Sequence, residues 1–304
     1  MPIRDMIKLA RPAHWIKNVF VLMPLVFGMQ LAKPDAWIKA IIATVAFCFA
    51  SSFAYVINDI KDAESDKLHP RKKDRPIAAG RISVKTGLIE AFALLVLSAG
   101  IAYSVSVPLL VMVGTYILLQ VCYSELFKRK VLLDVICIAI GFVLRAVAGA
   151  VAIKVEISPW LFVCMFTLCM FLGFCKRYNE VVTLGDVTTA ANHRATLLEY
   201  TPDLLTHLIT ISAGVAIIGF LLYSLNIRTV EHFGTDYFVY TLPVVVYAIF
   251  RFAMLSMKGI YSDPTDIILH DRAFQATVVL WLAMAMTIIS YGPKIQTWVE
   301  SFSA

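Results

Sequence analysis

Residues 58–81 read N-D-I-K-D-A-E-S-D-K-L-H-P-R-K-K-D-R-P-I-A-A-G-R, the longest dense polar run in an otherwise oily chain. Asp59, Asp62 and Asp66 stand at i, i+3 and i+7, with Asn58 one residue ahead. If the apolar helix before them continues to Asp66, the three carboxylates share one helical face at its polar end. Three like charges stacked so closely repel one another unless a cation lies between them. A hard divalent ion with oxygen ligands, Mg2+ foremost, is the economical counter-ion. Arg71, Lys72, Lys73 and Arg75 follow, a cationic cluster suited to phosphate groups. Acids for a metal and bases for phosphate predict a site for a Mg-diphosphate. The bland alternative is a solvated loop whose positive charge only orients the chain in a membrane. That accounts for the bases but gives no reason for three stacked acids.

Around this run the 304 residues are 60% hydrophobic and 16% charged, with a mean hydropathy of +0.78. Such a chain is an all-α polytopic membrane protein rather than a soluble domain. Nine apolar segments read as membrane-spanning helices, near 18–32, 36–57, 84–106, 108–124, 131–153, 158–176, 205–224, 237–257 and 273–291. Residues 1–17 form a basic amphipathic lead-in expected on the membrane surface, and no cleavable signal peptide is expected. The six cysteines lie in apolar stretches with no C-x-x-C pair, which fits packing and not a disulfide framework or a zinc site. No repeat or linker divides the chain, so residues 1–304 read as one domain.

The net charge of +6 invites a nucleic-acid reading, but the basic residues sit in short loops between spans. With the N-terminus in the cytoplasm, twenty-one Lys and Arg fall on the cytoplasmic side. Only Lys33, Lys39, Lys154, Arg228 and Lys294 fall on the other. That bias predicts N-in and C-out in a cytoplasmic membrane. It also gathers the polar loops near 58–83, 125–131, 176–204 and 258–272 on one face, where an active site would open toward the cytoplasm.

The remaining basic residue is Arg145, inside the fifth apolar segment in G-F-V-L-R-A-V-A-G-A. A charge there is costly unless it meets a cavity or a partner, so it is a functional candidate. The alternative is an interhelical lock. Gly141, Ala146, Ala148, Gly149 and Ala150 around it read as close helix packing. Asp134 opens the same span as a helix-dipole partner or a ligand. Tyr123 and Lys128 end the fourth span within reach of a phosphate. Lys176, Arg177, Tyr178 and Glu180 end the sixth, with Asp186 and Arg194 beyond; these fit phosphate or sugar recognition, or a plain positive flank. Asp271 reads as a cap on the ninth span. Among the histidines only His69, beside Pro70 in the basic loop, merits a test, and none shows a metal-ligand spacing.

At Asn58-Asp59-x-x-Asp62-x-x-x-Asp66 the chain resembles the UbiA superfamily of intramembrane prenyltransferases, whose first motif is N-D-x-x-D-x-x-x-D after the second of nine helices. Further stretches resemble one branch, the decaprenyl-phosphate phosphoribosyltransferases. They are R-P-A-H-W-I-K-N at 11–18, H-P-R-K-K-D-R-P-I-A-A-G at 69–80, Y-S-E-L-F-K at 123–128 and G-F-V-L-R-A-V-A-G at 141–149. K-R-Y-N-E at 176–180 and D-P-T-D-I-I-L-H-D-R at 263–272 complete the set. The chain departs from the aromatic-prenylating branch, whose enzymes carry a second D-x-x-x-D-like cluster between spans six and seven. Here that loop offers Glu180 and Asp186 behind two bases.

The resemblance implies a nine-helix UbiA-like bundle acting on 5-phosphoribosyl 1-diphosphate (PRPP) and a polyprenyl monophosphate in the bilayer, in cell-envelope synthesis. Asp59, Asp62 and Asp66 would hold Mg2+, with Asn58 orienting the first carboxylate or binding donor oxygens. Lys17, Lys72, Arg75, Tyr123, Lys128, Lys176, Arg177, Tyr178, Glu180 and Arg194 would bind substrate, and Arg145 would draw in the acceptor phosphate. The competing enzyme reading moves a prenyl group from its diphosphate to an aromatic acceptor such as 4-hydroxybenzoate. A transporter would spread polar residues through the full membrane depth, whereas here they concentrate at one face. No nucleic acid is expected, and a homo-oligomer is compatible with the sequence.

Overall fold

The computed structural model describes residues 3–68, 72–184, 199–261 and 264–303. Among these it is helical throughout, with no strands. Eight helices are long and apolar enough to cross a membrane, in good register with eight of the nine expected spans. Within the single membrane region expected from sequence, two compact units are distinguished. One is Met1–Lys128 with Ile140–Ile157, the other Arg129–Ala139 with Ser158–Ala304.

The first unit begins with α1 (Ile3–Ala10), whose Leu9 is buried while Ile3 and Ile7 stay exposed. The first expected span differs from its sequence reading. It starts earlier, as a 3-10 helix over Pro12–Leu22, and ends in a short helix α2 (Met23–Phe27). A repeat of three residues aligns Trp15, Asn18 and Val21 on one edge, and those side chains meet Ser52, then Ser51 and Cys48, then the core around Ala46 and Phe47. Pro24 lacks an amide hydrogen and so marks the change of helix type. Eleven residues at about 2.0 Å and five at about 1.5 Å reach about 30 Å, the thickness of a hydrocarbon core.

α3 (Pro34–Lys61) is the axis of this unit: 56% of its most apolar window is buried, against 22% for α5 (Val84–Val105) and for the span beginning with α6 (Val107–Cys122). Small residues on α3, Ala43, Ala46 and Ala50, let Ala102, Ala148 and Ala152 approach closely. After α3 come α4 (Ala63–Leu68) and a loop pinned by buried Ile77 and Ile82. Ser106 ends α5 and caps α6 by accepting from the Leu109 amide, so the two helices turn back through a single residue. A π-helical turn, Tyr123–Phe127, closes α6. The outward faces carry Leu88, Phe92, Val96, Val111 and Leu118, a surface suited to lipid and not to water.

α7 (Leu133–Ile153) contributes its first turns to the second unit and the rest to the first. Its Gly149 touches backbone: a Cβ there would lie 2.0 Å from the Val21 carbonyl oxygen. Gly149→Ala is therefore expected to lower the thermal midpoint of the purified protein, at a cost of about 1–3 kcal/mol or more. Gly114→Ala on α6, with nothing within 4 Å of the new Cβ, is the neutral control. Equal midpoints for the two variants would refute the contact.

The second unit packs α8 (Pro159–Leu184) against α9 (Pro202–Leu225), with the Cys164 backbone in contact distance of Gly219. α10 (Ile227–Phe233), α11 (Leu242–Met257), α12 (Pro264–His270) and α13 (Arg272–Ser303) complete it. Its core joins Phe171, Phe174, Leu205, Phe252 and Ile267. Phe220, Tyr223, Phe233, Phe238 and Trp281 meet mostly tilted or edge-on, the geometry their ring quadrupoles favour. Asp271 caps α13, accepting from the Phe274 amide at 2.7 Å and taking a forked pair from Arg251 at 2.7 and 2.8 Å. The hydrogen bonds from Arg251 hold its carboxyl below the usual carboxylate range, against the opposing effect of burial. The pair thus stabilises the fold above the ordinary carboxylate pKa near 4 and loses that contribution as pH falls further.

Candidate active site

The acid run does not continue α3 unbroken. The helix ends at Lys61, Asp62 turns (φ −86°, ψ 3°), and α4 restarts at Ala63. The expectation of three carboxylates on one uninterrupted face is corrected accordingly: Asp59 and Asp66 converge, and Asp62 turns elsewhere. Splitting them relieves the repulsion that a straight stack would impose.

Bases meet each acid. Arg75 Nη1 donates to Asp59 Oδ1 at 3.1 Å and to Asp66 Oδ2 at 2.5 Å, so one positive group bridges two buried carboxylates. Arg11 Nη2 donates to the same Asp59 oxygen at 2.5 Å. Lys128 Nζ lies 3.0 and 3.4 Å from the Asp62 oxygens. The anchored loop around Ile77 and Ile82 aims Arg75. The π-helical turn aims Lys128, and it docks on the end of α3 through Ser124 Oγ to Asn58 and Lys61 to Glu125. Asn58 Oδ1 thus receives the Ser124 hydroxyl.

Arg11 was absent from the residues expected to form the site, although R-P-A-H-W-I-K-N holds it. Nothing local in the sequence pairs it with an acid forty-eight residues away. Its backbone is left-handed (φ 53°, ψ 58°) immediately before Pro12. That conformation costs a non-glycine residue about 1–2 kcal/mol, and the following proline restricts it further. Ser52 Oγ holds the strained segment in place, donating to the Ala10 carbonyl at 2.7 Å and accepting from Trp15 Nε1 at 2.9 Å. The guanidinium then runs along α3, 5.0 Å over the Tyr55 ring, to Asp59.

Arg145 is 5% exposed. It donates to Asn18 Oδ1 (2.8 Å), the Gly141 carbonyl (2.7 Å) and Tyr116 Oη (2.7 Å), and lies 4.6 Å from the Tyr116 ring centroid. Among the described residues it has no carboxylate partner. Lys17 is exposed; Lys72 and Tyr123 are partly buried.

In the second unit Arg177 is buried, 3.1 Å from Asp134 through Nε and paired with Glu180 as well. Tyr200 Oη donates to Asp134 Oδ1 and accepts from the Leu132 amide, both at 2.8 Å. Burial pushes the Tyr200 phenol up, and the Asp134 carboxylate adds to this against the Leu132 amide. Asp134 therefore serves a buried polar hub, not only the dipole of α7. Lys176 and Tyr178 are partly buried, Tyr178 against the core. Arg194, with His69, Arg71, Asp186 and Asp263, lies outside the described residues.

A family model described as the UbiA prenyltransferase family matches residues 21–258, most of the chain. The chain belongs to the UbiA prenyltransferase family. Two curated relatives of this UbiA protein, from Corynebacterium glutamicum and Mycolicibacterium smegmatis, are named decaprenyl-phosphate phosphoribosyltransferase. The first is 33% identical over 281 residues, 91% of this chain and 84% of that one. The second is 32% identical over 290 residues, 92% and 91% respectively. A solved UbiA homologue from Archaeoglobus fulgidus bound to GPP and Mg2+ shares the fold, with a TM-score of 0.70 at 19% identity over 94% of this chain and 99% of that one. With eight apolar helices and this family, the chain is a multi-pass membrane protein.

Among the described residues no three His, Cys, Asp or Glu side chains stand close enough to share an ion. The donor chemistry nevertheless fits a hard divalent cation. Two buried carboxylates already chelate one positive group, Arg75 Nη1, and Asp62 is one helical turn away.

Proposed function

We propose that this UbiA protein transfers the 5-phosphoribosyl group from PRPP to a polyprenyl monophosphate of the decaprenyl type, with Mg2+ and release of diphosphate. One observation carries the reading: hard-oxygen acids interleaved with phosphate-seeking bases, Asp59 and Asp66 about Arg75, Asp59 on Arg11, and Asp62 on Lys128. The names of the two relatives support the same substrates. The bias of basic residues supports a site facing the cytoplasm from the inner membrane.

Asp59 and Asp66, joined by Asp62, would hold the ion, whose contribution is to neutralise charge on the leaving diphosphate. Arg75, Lys72 and Lys128 bind the donor phosphates. An oxygen of the acceptor phosphate forms a bond to the anomeric carbon while the bond from that carbon to diphosphate breaks, with inversion. The transition state is oxocarbenium-like, as in other glycosyl transfers. A phosphate monoester is largely ionised near neutrality, so no protein nucleophile and no strong base are required. The remaining task is to bring a water-soluble sugar to a lipid-borne phosphate.

Detergent-solubilised protein given labelled PRPP and polyprenyl phosphate is expected to yield a phosphoribosylated lipid by mass spectrometry, dependent on Mg2+. Turnover instead of a prenyl diphosphate with 4-hydroxybenzoate, and none with PRPP, would overturn this assignment in favour of aromatic prenylation.

A further inference from the structure

At the end of α3 the charges balance before any ligand arrives: Asp59, Asp62 and Asp66 against Arg11, Arg75 and Lys128. A divalent ion entering alone must take the Asp59 oxygen from two guanidiniums, and it leaves Arg11, which Asp59 alone holds among the described residues, without an anion. A diphosphate entering alone meets bases already held by carboxylates. Removing one member of a buried pair is the costly event. When ion and diphosphate enter together, each takes a different half of the pairs and no charge is stranded.

Arg11 is the member shaped for such an exchange. The segment around it is tied to Ser52 through the Ala10 carbonyl and the Trp15 indole, so the chain need not move. Its side chain is 20% exposed while that of Asp59 is 2% exposed, which gives the guanidinium a path that the acid lacks. It holds one acid, whereas Arg75 bridges two. We infer that Arg11 exchanges partners. It neutralises Asp59 in the resting site, passes to the donor's diphosphate when Asp59 turns to the metal, and so makes metal and diphosphate binding depend on each other. This rests on the Mg-diphosphate reading given above.

Calorimetric titration of the purified protein with Mg2+, with and without inorganic diphosphate, tests it once the heat of Mg-diphosphate formation is subtracted. The wild type is expected to bind Mg2+ at least about tenfold more tightly with diphosphate present, a typical size for coupled sites. In Arg11→Gln, Mg2+ alone should bind several-fold more tightly than in the wild type, and most of the gain from diphosphate should vanish. Arg11→Lys keeps the charge and should keep part of the coupling. The wild-type measurement stands alone if the glutamine variant does not fold. Mg2+ binding that ignores diphosphate in the wild type, or coupling unchanged in Arg11→Gln, overturns the inference while leaving the metal site intact. No Mg2+ binding under either condition removes the Mg-diphosphate reading itself, and the inference with it.

Discussion

Asp59→Ala is expected to reduce the proposed phosphoribosyl transfer by about a thousandfold or more while the protein still inserts and purifies as folded material. Loss of a single preorganised electrostatic group costs about 10²–10³ in rate, and Asp59 serves more than one partner. Its Oδ1 is shared by Arg11 and Arg75, and it is almost wholly buried, so water cannot replace it. Asp59→Asn preserves the volume and separates charge from packing; it should be nearly as inactive. Asp62→Ala should also abolish turnover, but its side chain is 32% exposed and, among the described residues, pairs with Lys128 alone, so its effect on stability should be small. Activity assays beside size-exclusion profiles and thermal midpoints check both. A fully active Asp59→Ala protein would remove the carboxylates from the chemistry.

Arg145→Ala is expected to cost stability first. The change leaves Asn18 Oδ1, Tyr116 Oη and the Gly141 carbonyl without their donor in a buried position. It also deletes a cation stacked on the Tyr116 and Phe142 rings. Each buried acceptor left unsatisfied costs about 1–3 kcal/mol. The expected readout is a sharp fall in folded yield and thermal midpoint, with Arg145→Lys intermediate because a point charge cannot reproduce the planar fork. The assignment of Arg145 to the acceptor phosphate makes a different forecast. On that view the alanine protein keeps a wild-type midpoint and shows a raised requirement for polyprenyl phosphate. Measuring both quantities on the same preparation distinguishes a strut from a lipid contact.

Much of this architecture was legible in the chain itself. Bilayer thickness sets a length that a run of apolar residues either meets or does not, and eight of nine expected spans met it as long helices. The first, near the N-terminus, did not: Pro12–Leu22 is wound as a 3-10 helix and only Met23–Phe27 as an α-helix. The acid motif was legible because its spacing is local. Its break at Asp62 was not: there the carboxylate meets Lys128, sixty-six residues away and beyond the reach of local spacing.

By itself, then, the sequence determined that this is a helical membrane protein with acids and bases crowded at one polar boundary. Those features follow from composition and from neighbours three or four residues apart. Only the tertiary structure decided which base meets which acid. Arg11 reaches Asp59 because Ser52 holds a strained backbone in place, and Arg145 is bound by Asn18 and Tyr116 from two other segments. Pairings of that kind join distant parts of the chain, where helical periodicity carries no information.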